Sequence, residues 1–135
     1  MHALTFDEKH DYSQSTVGIE LPIFLQTNPE NPISTEVKLD TGSTYCVFQR
    51  KYGELLGIDI ETGNKEKIGT VLGNGFNAYG HEIGLRYSSL EWEATVYFAE
   101  DENFPRSFLG RNGFLDRINV AILDNEQLLY LSSAA

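Results

Sequence analysis

One short run of the sequence combines the residue types that acid–base chemistry uses. Asp40, Thr41, Gly42 and Ser43 follow one another directly. The carboxylate of Asp40 can take a proton from water or donate one, and a neighbouring hydroxyl can favour its ionised form. The same four residue types also favour plain β-turns, so the run by itself leaves a purely structural turn open. The surrounding sequence is needed to decide between the two interpretations.

The residues before Asp40 predict a strand that ends at the carboxylate. Along residues 33–39, one face of the predicted strand carries Ile33, Thr35, Val37 and Leu39, and the other carries Ser34, Glu36 and Lys38. This period of two is typical of a strand with one buried and one exposed face. A second apolar, β-prone run, residues 45–48, follows the turn. We therefore expect Asp40 on a turn between two strands.

The same period recurs along most of the chain. It predicts further strands over residues 17–25, 66–87, 92–98, 118–123 and 128–131. Many short strands with almost no helix favour an all-β, barrel-like fold. At 135 residues, the chain has the length of one domain.

Four segments interrupt or flank this pattern. The longest β-prone stretch is broken at Gly73-Asn74-Gly75, and Asn-Gly between β-prone residues predicts a hairpin. Short helical turns are predicted over residues 50–56 and 112–117. Residues 1–15 are polar and are expected to be loosely ordered, which leaves residues 16–135 as the folded domain.

Composition excludes several classes of partner. Ten Lys and Arg against twenty Asp and Glu give a net charge of −10, which disfavours nucleic acid and anionic membranes because their phosphates would be repelled. No apolar run approaches the roughly 20 residues that a membrane helix needs, and the N-terminus lacks the features of a signal peptide. The one cysteine, Cys46, is expected to be a small buried apolar residue. These features predict a cytoplasmic protein.

Other catalytic and metal-binding patterns are incomplete. His81-Glu82 begins like a zinc-protease helix, but Leu85 stands where the second histidine is required. The sequence has no Gly-x-Ser-x-Gly motif of a serine hydrolase. The glycines at residues 73–75 lack the third glycine of a dinucleotide loop. We therefore expect neither a metal nor a cofactor.

Taken in order, these parts resemble the retropepsins, the single-domain, retroviral-type aspartic proteases. The matching parts are the strand and turn at Asp40, the apolar run after it, the glycine-tipped hairpin, and Phe108-Leu109-Gly110-Arg111-Asn112 before a short helix. The resemblance covers roughly residues 17–131. It implies an aspartic endopeptidase with a closed β-barrel of the retropepsin type, a β-hairpin flap and one short helix near the C-terminus.

The resemblance also implies how an active site would be assembled. These enzymes need two carboxylates, and this chain carries one such turn, so a homodimer would bring two copies of Asp40 together. Two carboxylates held close share one proton, because both cannot ionise cheaply. The ionised one would take a proton from water, and the protonated one would donate to the carbonyl oxygen of a polypeptide substrate.

Supporting roles at the turn follow from the same resemblance. Thr41 would form hydrogen bonds across the dimer axis. Gly42 would donate its amide to the carboxylate, at a place where a side chain would clash. The Ser43 hydroxyl would donate to the outer oxygen of Asp40 and favour the ionised form.

The resemblance also implies roles for two further segments. Gly73, Asn74, Gly75 and Phe76 would form a flap that closes over the substrate, although an ordinary exposed hairpin stays open as the alternative. The segment of Leu109, Gly110, Arg111 and Asn112 would pack beneath the catalytic turn.

The sequence departs from the retroviral pattern at the expected dimer contacts. In retroviral members the arginine corresponding to Arg111 pairs with an aspartate four positions after the catalytic one, and here that position is Thr44. Asp116 is a candidate replacement. Because the first fifteen residues are polar, residues 128–131 are the expected dimer strand.

Two other functions stay open at this point. The first is a non-catalytic dimerisation or peptide-binding module that has the same fold. The second is an unrelated small β-barrel that binds a ligand and happens to contain the turn.

Overall fold

The computed structural model describes residues 1–70 and 73–134. Val71 and Leu72, which belong to the predicted β-prone stretch, lie outside the described residues. The strands are β1 (Glu8–Asp11), β2 (Glu20–Gln26), β3 (Ile33–Leu39), β4 (Val47–Phe48), β5 (Asn64–Ile68), β6 (Phe76–Tyr87), β7 (Leu90–Ala99), β8 (Phe108–Leu109), β9 (Ile118–Leu123) and β10 (Leu128–Ser133). One helix, α1 (Arg50–Leu55), and one 3-10 turn (Ile60–Thr62) complete the described elements. The predicted all-β class is confirmed.

Seven of the ten described strands form one sheet whose pairing path returns to its starting strand. Seven strands follow the order β2-β3-β8-β4-β7-β6-β5. Strand β2 also pairs with β6, where Phe24, Leu25 and Gln26 lie opposite Arg86, Leu85 and Gly84. The path of paired strands therefore runs from β2 through β3, β8, β4, β7 and β6 back to β2. Strand β5 lies outside that path, as the first arm of the β5–β6 hairpin.

The main hydrophobic core is built from the alternating faces of these strands. Leu21, Ile23 and Leu25 of β2 are fully buried, as is Val37 of β3, which follows from the period of two in the sequence. Each such side chain contributes about 1.5–3 kcal/mol relative to an exposed one. The core fixes β3, and with it the position of Asp40 at the end of β3.

Residues 8–12 of the N-terminal segment are packed into the fold, contrary to the loose order expected from polarity. Residues 8–11 form β1, which pairs antiparallel with β10. Tyr12 is buried, and its hydroxyl donates to Asp124 Oδ1 at 2.6 Å. The burial of β1 alternates between half-buried and exposed residues. Its polar residues are therefore typical of an edge strand rather than of a loose tail.

Strand β10 is not available as a dimer strand. It lies in the middle of a three-stranded sheet of order β1-β10-β9, so both of its edges are hydrogen-bonded within the chain. The expectation that residues 128–131 would pair with a second chain is therefore wrong. Among the described residues, β9 pairs on one side only, and it ends in the exposed side chains of Ile122 and Leu123.

The predicted helix near the C-terminus is not a regular helix. Residues 112–117 form turns, in which the amide of Asp116 donates to the carbonyl of Arg111, five positions earlier, at 3.0 Å. Gly113 has a φ of +103°, a left-handed conformation that interrupts an α-helix. The regular helix is α1, at the predicted residues 50–56. No helix in the described part of the chain is long and apolar enough to cross a membrane.

Candidate active site

Asp40 is the first residue after β3, and its side chain is exposed. Its amide donates to the carbonyl of Leu109 at 2.9 Å, which continues the parallel pairing of β3 with β8 by one more bond. The amide of Ser43 donates to the Asp40 carbonyl at 3.1 Å and closes the turn. The backbone of Asp40 is thus fixed at a strand end, while its carboxylate is accessible to solvent.

The turn supplies one hydrogen-bond donor to the carboxylate. The Gly42 amide donates to Asp40 Oδ1 at 3.0 Å, as predicted. A Cβ at Gly42 would lie 3.4 Å from the same oxygen, which is an ordinary contact. The predicted clash of a larger residue therefore does not arise within one chain.

The Ser43 hydroxyl does not make the predicted bond. It donates to the carbonyl of Tyr45 at 2.8 Å. A serine hydroxyl has one proton to donate, so this bond replaces the predicted one to Asp40. Ser43 therefore stabilises the backbone after the turn, and the prediction that it donates to the carboxylate is wrong for the single chain.

The residues predicted to lie beneath the turn do contact it. The amides of Arg111 and Asn112 donate to the carbonyls of Ser43 and Thr44, each at 2.9 Å. Gly110 lies so close that an added Cβ would be 2.6 Å from the Ser43 oxygen. Sequence reasoning thus placed this segment correctly, and the contacts are made by its backbone.

The side chain of Arg111 lacks the predicted acidic partner. It is exposed, and within the described ranges it forms no ion pair. Asp116 does not replace the missing aspartate, because its Oδ1 accepts the Gly113 amide at 2.9 Å and lies 3.6 Å from Arg117 Nε. The proposed pairing of Arg111 with Asp116 is therefore wrong.

Cys46 lies directly under this backbone and is fully buried. The amide of Gly110 donates to its sulfur at 3.3 Å. Burial raises the pKa of the thiol to about 12, so the reactive thiolate is scarce at neutral pH. The interpretation of Cys46 as a small buried apolar residue is confirmed.

The β5–β6 hairpin forms at the predicted place. Pairing runs from Asn64 opposite Gly80 to Ile68 opposite Phe76. Its connection contains Gly73, whose φ of +84° is a left-handed conformation that favours glycine. Two further bonds hold this connection: the Gly73 amide donates to the Thr70 carbonyl at 3.0 Å, and the Thr70 hydroxyl donates to the Asn74 carbonyl at 2.6 Å.

An aromatic groove of about 500 Å³ connects the hairpin to the Asp40 turn. Ring centroids of Phe76 and Phe104 lie 4.6 Å apart, and those of Phe104 and Phe108 lie 6.1 Å apart. Of the four predicted flap residues, Phe76 lines this groove. The described residues that line it are Asp40, Gly42, Ser43, Ile68, Gly69, Thr70, Phe76, Phe104 and Phe108. Such a surface suits an apolar side chain beside the carboxylate.

A second groove, of about 400 Å³, also borders Asp40. Its polar lining includes Lys38 and Arg106, and its apolar lining includes the exposed Ile122 of β9. Sequence reasoning did not assign these three residues. The sequence feature that could have indicated this groove is Lys38, which lies on the exposed face of the strand that ends at Asp40, two residues before the carboxylate.

The structure also shows where the histidine of the rejected zinc pattern lies. His81 is on β6, and its Nε2 lies 2.8 Å from the carbonyl oxygen of Ile60. Across residues 1–70 and 73–134, no group of three or more His, Cys, Asp or Glu is placed to hold a metal ion.

Comparison with solved structures identifies the fold. A retropepsin-like aspartic protease from Rickettsia conorii matches with a TM-score of 0.65 and 16% sequence identity, over 93% of this chain and 99% of that one. EIAV protease, solved in complex with the inhibitor HBY-793, matches with a TM-score of 0.54 and 19% identity, over 71% of this chain and 84% of that one. No protein-family model and no curated protein matches the sequence.

The chain therefore has the fold of the retropepsin-like aspartic proteases. The resemblance inferred from the sequence is confirmed at the level of the fold. The same result favours this fold over an unrelated small β-barrel, the second open alternative.

We predict that Gly110→Ala destabilises the protein and displaces the Asp40 turn. The added methyl group would meet two backbone oxygens, those of Ser43 and Tyr45, which cannot rotate away as a side chain would. Overpacking of this kind costs about 1–3 kcal/mol, measured as the free energy of unfolding in urea. Gly69→Ala is the matched control, because no atom of the described residues lies within 4 Å of a Cβ there. Equal unfolding free energies for the two variants would contradict the close packing.

Proposed function

We propose that this protein is an aspartic endopeptidase that is active as a homodimer. The observation that carries the proposal is the position of Asp40: an accessible carboxylate on a backbone turn that is fixed from below, in a fold shared with aspartic proteases. The Gly42 amide on Oδ1 and the aromatic groove alongside support the same function.

The chemistry uses two copies of Asp40 and one water molecule. The two carboxylates share a single proton, and the titration belongs to the pair. The ionised carboxylate takes a proton from the water molecule, and the oxygen of that water attacks the scissile carbonyl carbon. The protonated carboxyl group donates its proton to the carbonyl oxygen, which gives a tetrahedral intermediate. This intermediate then expels the amine, whose nitrogen gains a proton as it leaves. The reaction needs no covalent enzyme intermediate.

The substrate is a polypeptide in an extended conformation. An extended peptide can form backbone hydrogen bonds while its side chains enter grooves on either side. The aromatic groove formed by Phe76, Phe104 and Phe108 would take an apolar side chain. The β5–β6 hairpin, which forms one wall of that groove, would be the flap, and its closure would exclude water from the reaction.

For the dimer contact, we propose the edge of β9 in place of residues 128–131. This edge is unpaired within the described chain, and Ile122 and Leu123 on it are exposed. Ile122 lines the same groove as Asp40 and Thr41, so β9 lies beside the catalytic turn. Antiparallel pairing of two β9 edges about a two-fold axis would cover both side chains and bring the two turns towards each other.

A non-catalytic peptide-binding module is the second candidate. Two observations favour it: Thr44 stands where the retroviral pattern has an aspartate, and the Ser43 hydroxyl donates to Tyr45 instead of to Asp40. Such a module would use the same grooves without chemistry.

Replacing Asp40 by asparagine tests the enzymatic function. We expect Asp40→Asn to lower kcat/KM by at least about a thousandfold, because an amide can neither accept the proton of water nor share one with its partner. Cleavage of a mixed peptide library, followed by mass spectrometry between pH 4 and 7, is the measurement. Asp59→Asn, at an exposed aspartate outside both grooves, should cleave like the wild type.

The library also separates the two candidates. Peptides that bind the wild-type dimer and are never cut would favour the binding module. Cleavage that persists unchanged in Asp40→Asn would refute the role of this carboxylate.

The dimer contact is tested at Ile122, which is 41% exposed. We expect Ile122→Glu to raise the dimer dissociation constant at least about tenfold, because the two symmetry-related glutamates would repel each other across the contact. Sedimentation equilibrium measures the constant. Leu55→Glu is the control, since Leu55 is 68% exposed on α1, away from β9. If both variants associate like the wild type, the contact does not use β9.

A further inference from the structure

We propose that Lys38 and Arg106 make the second groove a subsite for an acidic side chain, aspartate or glutamate, next to the scissile peptide bond. This inference rests on the proposed endopeptidase function and narrows its substrate class. The groove is lined by Ile19, Lys38, Leu39, Asp40, Thr41, Arg106, Phe108 and Ile122.

Strand pairing places the two cations on the same face. Lys38 lies opposite Phe108 in the parallel pairing of β3 with β8, and its amide donates to the Ser107 carbonyl at 3.1 Å. Ser107, between Arg106 and Phe108, is buried. Lys38, Phe108 and Arg106 all line the groove.

Neither cation forms a close ion pair with an acid of the described chain, although Glu20 lies opposite Lys38 in the pairing of β2 with β3. Lys38 and Arg106 form no ion pair within residues 1–70 and 73–134. In contrast, Arg50 lies 2.6 Å from Glu61 and Arg117 lies 3.6 Å from Asp116. In a protein of net charge −10, two unpaired cations in one groove form a local positive site.

Among the described residues, Asp40 is the only acidic one in the lining of this groove. A substrate carboxylate would therefore meet two cations beside the reacting carboxylate pair. Without those cations, repulsion from the negatively charged protein would disfavour such a substrate. The described residues that line the aromatic groove on the other side of Asp40 include no cation, so the two grooves would select different side chains.

Matched peptides test this subsite. A sequence cleaved in the library is synthesised with Glu or with its isostere Gln at each of the two positions that flank the cut. At low salt we expect the wild type to have a kcat/KM about three- to tenfold higher for the Glu peptide at one of these positions, as solvent-accessible ion pairs allow. The difference should lie mainly in KM and should shrink with added salt.

Variants assign the preference to the two side chains. Lys38→Met and Arg106→Gln should each reduce the ratio, and the double variant should bring it to about one. Lys38→Glu should favour a Lys peptide over the Glu peptide. Lys51→Gln, which removes an exposed cation from α1, should keep the wild-type ratio.

Three results would overturn the subsite. One is an equal wild-type kcat/KM for Glu and Gln at both positions. Another is a preference that survives in the double variant. The third is dissociation of the dimer in the double variant with an unchanged ratio in the remaining dimer, which would assign the cations to the contact between chains.

Failure of the endopeptidase function is distinguishable from failure of the subsite. If the wild type cleaves no peptide, the proposed function fails, and Glu and Gln versions of a library peptide that the protein binds are compared by calorimetry on Asp40→Asn. Tighter binding of the Glu peptides, lost in Lys38→Met, would support the subsite. Equal binding would overturn it.

Discussion

The position of the Asp40 carboxylate depends on the contact between its turn and the backbone of residues 109–112. Leu109 accepts the Asp40 amide, Arg111 and Asn112 donate to the turn, and Gly110 leaves no room for a side chain between them. These bonds join β3 to β8, two segments that are about seventy residues apart in the chain. Because the contacts are made by main-chain atoms, they fix the turn without using the side chains that would meet a substrate.

Features with a local cause could be read from the sequence. The alternation in residues 33–39 predicted β3 with its observed bounds, and Asn-Gly predicted the β5–β6 hairpin, since both patterns act over a few residues. The pairing of β1 with β10 could not be predicted, because Glu8 and Leu131 are at opposite ends of the chain and neither segment encodes its partner. Because the partner strand lies so far away in the sequence, the polarity of residues 1–15 predicts loose order, although residues 8–11 form an edge strand.

At the candidate site, residue types were predictable and hydrogen-bond partners were not. The Gly42 bond to Asp40 follows from the turn, because the two groups are two residues apart. The Ser43 hydroxyl had two acceptors within reach, and the strand geometry after the turn selects Tyr45. Asp116 accepts the amide of Gly113, three positions earlier, and the pattern of charges in the sequence does not indicate such a bond. The cationic groove depends on the pairing of β3 with β8, so no single stretch of sequence shows it.

The pairing of β1, β10 and β9 within one chain bears on how the proposed homodimer would form. One chain forms this three-stranded sheet from residues near both of its ends, so the sheet needs no strand from a second chain. In the homodimer proposed above, association would then be a step separate from completion of this sheet, and the dimeric fraction would rise with the local concentration of the protein. Dilution would lower the activity of such a dimer and leave this sheet intact.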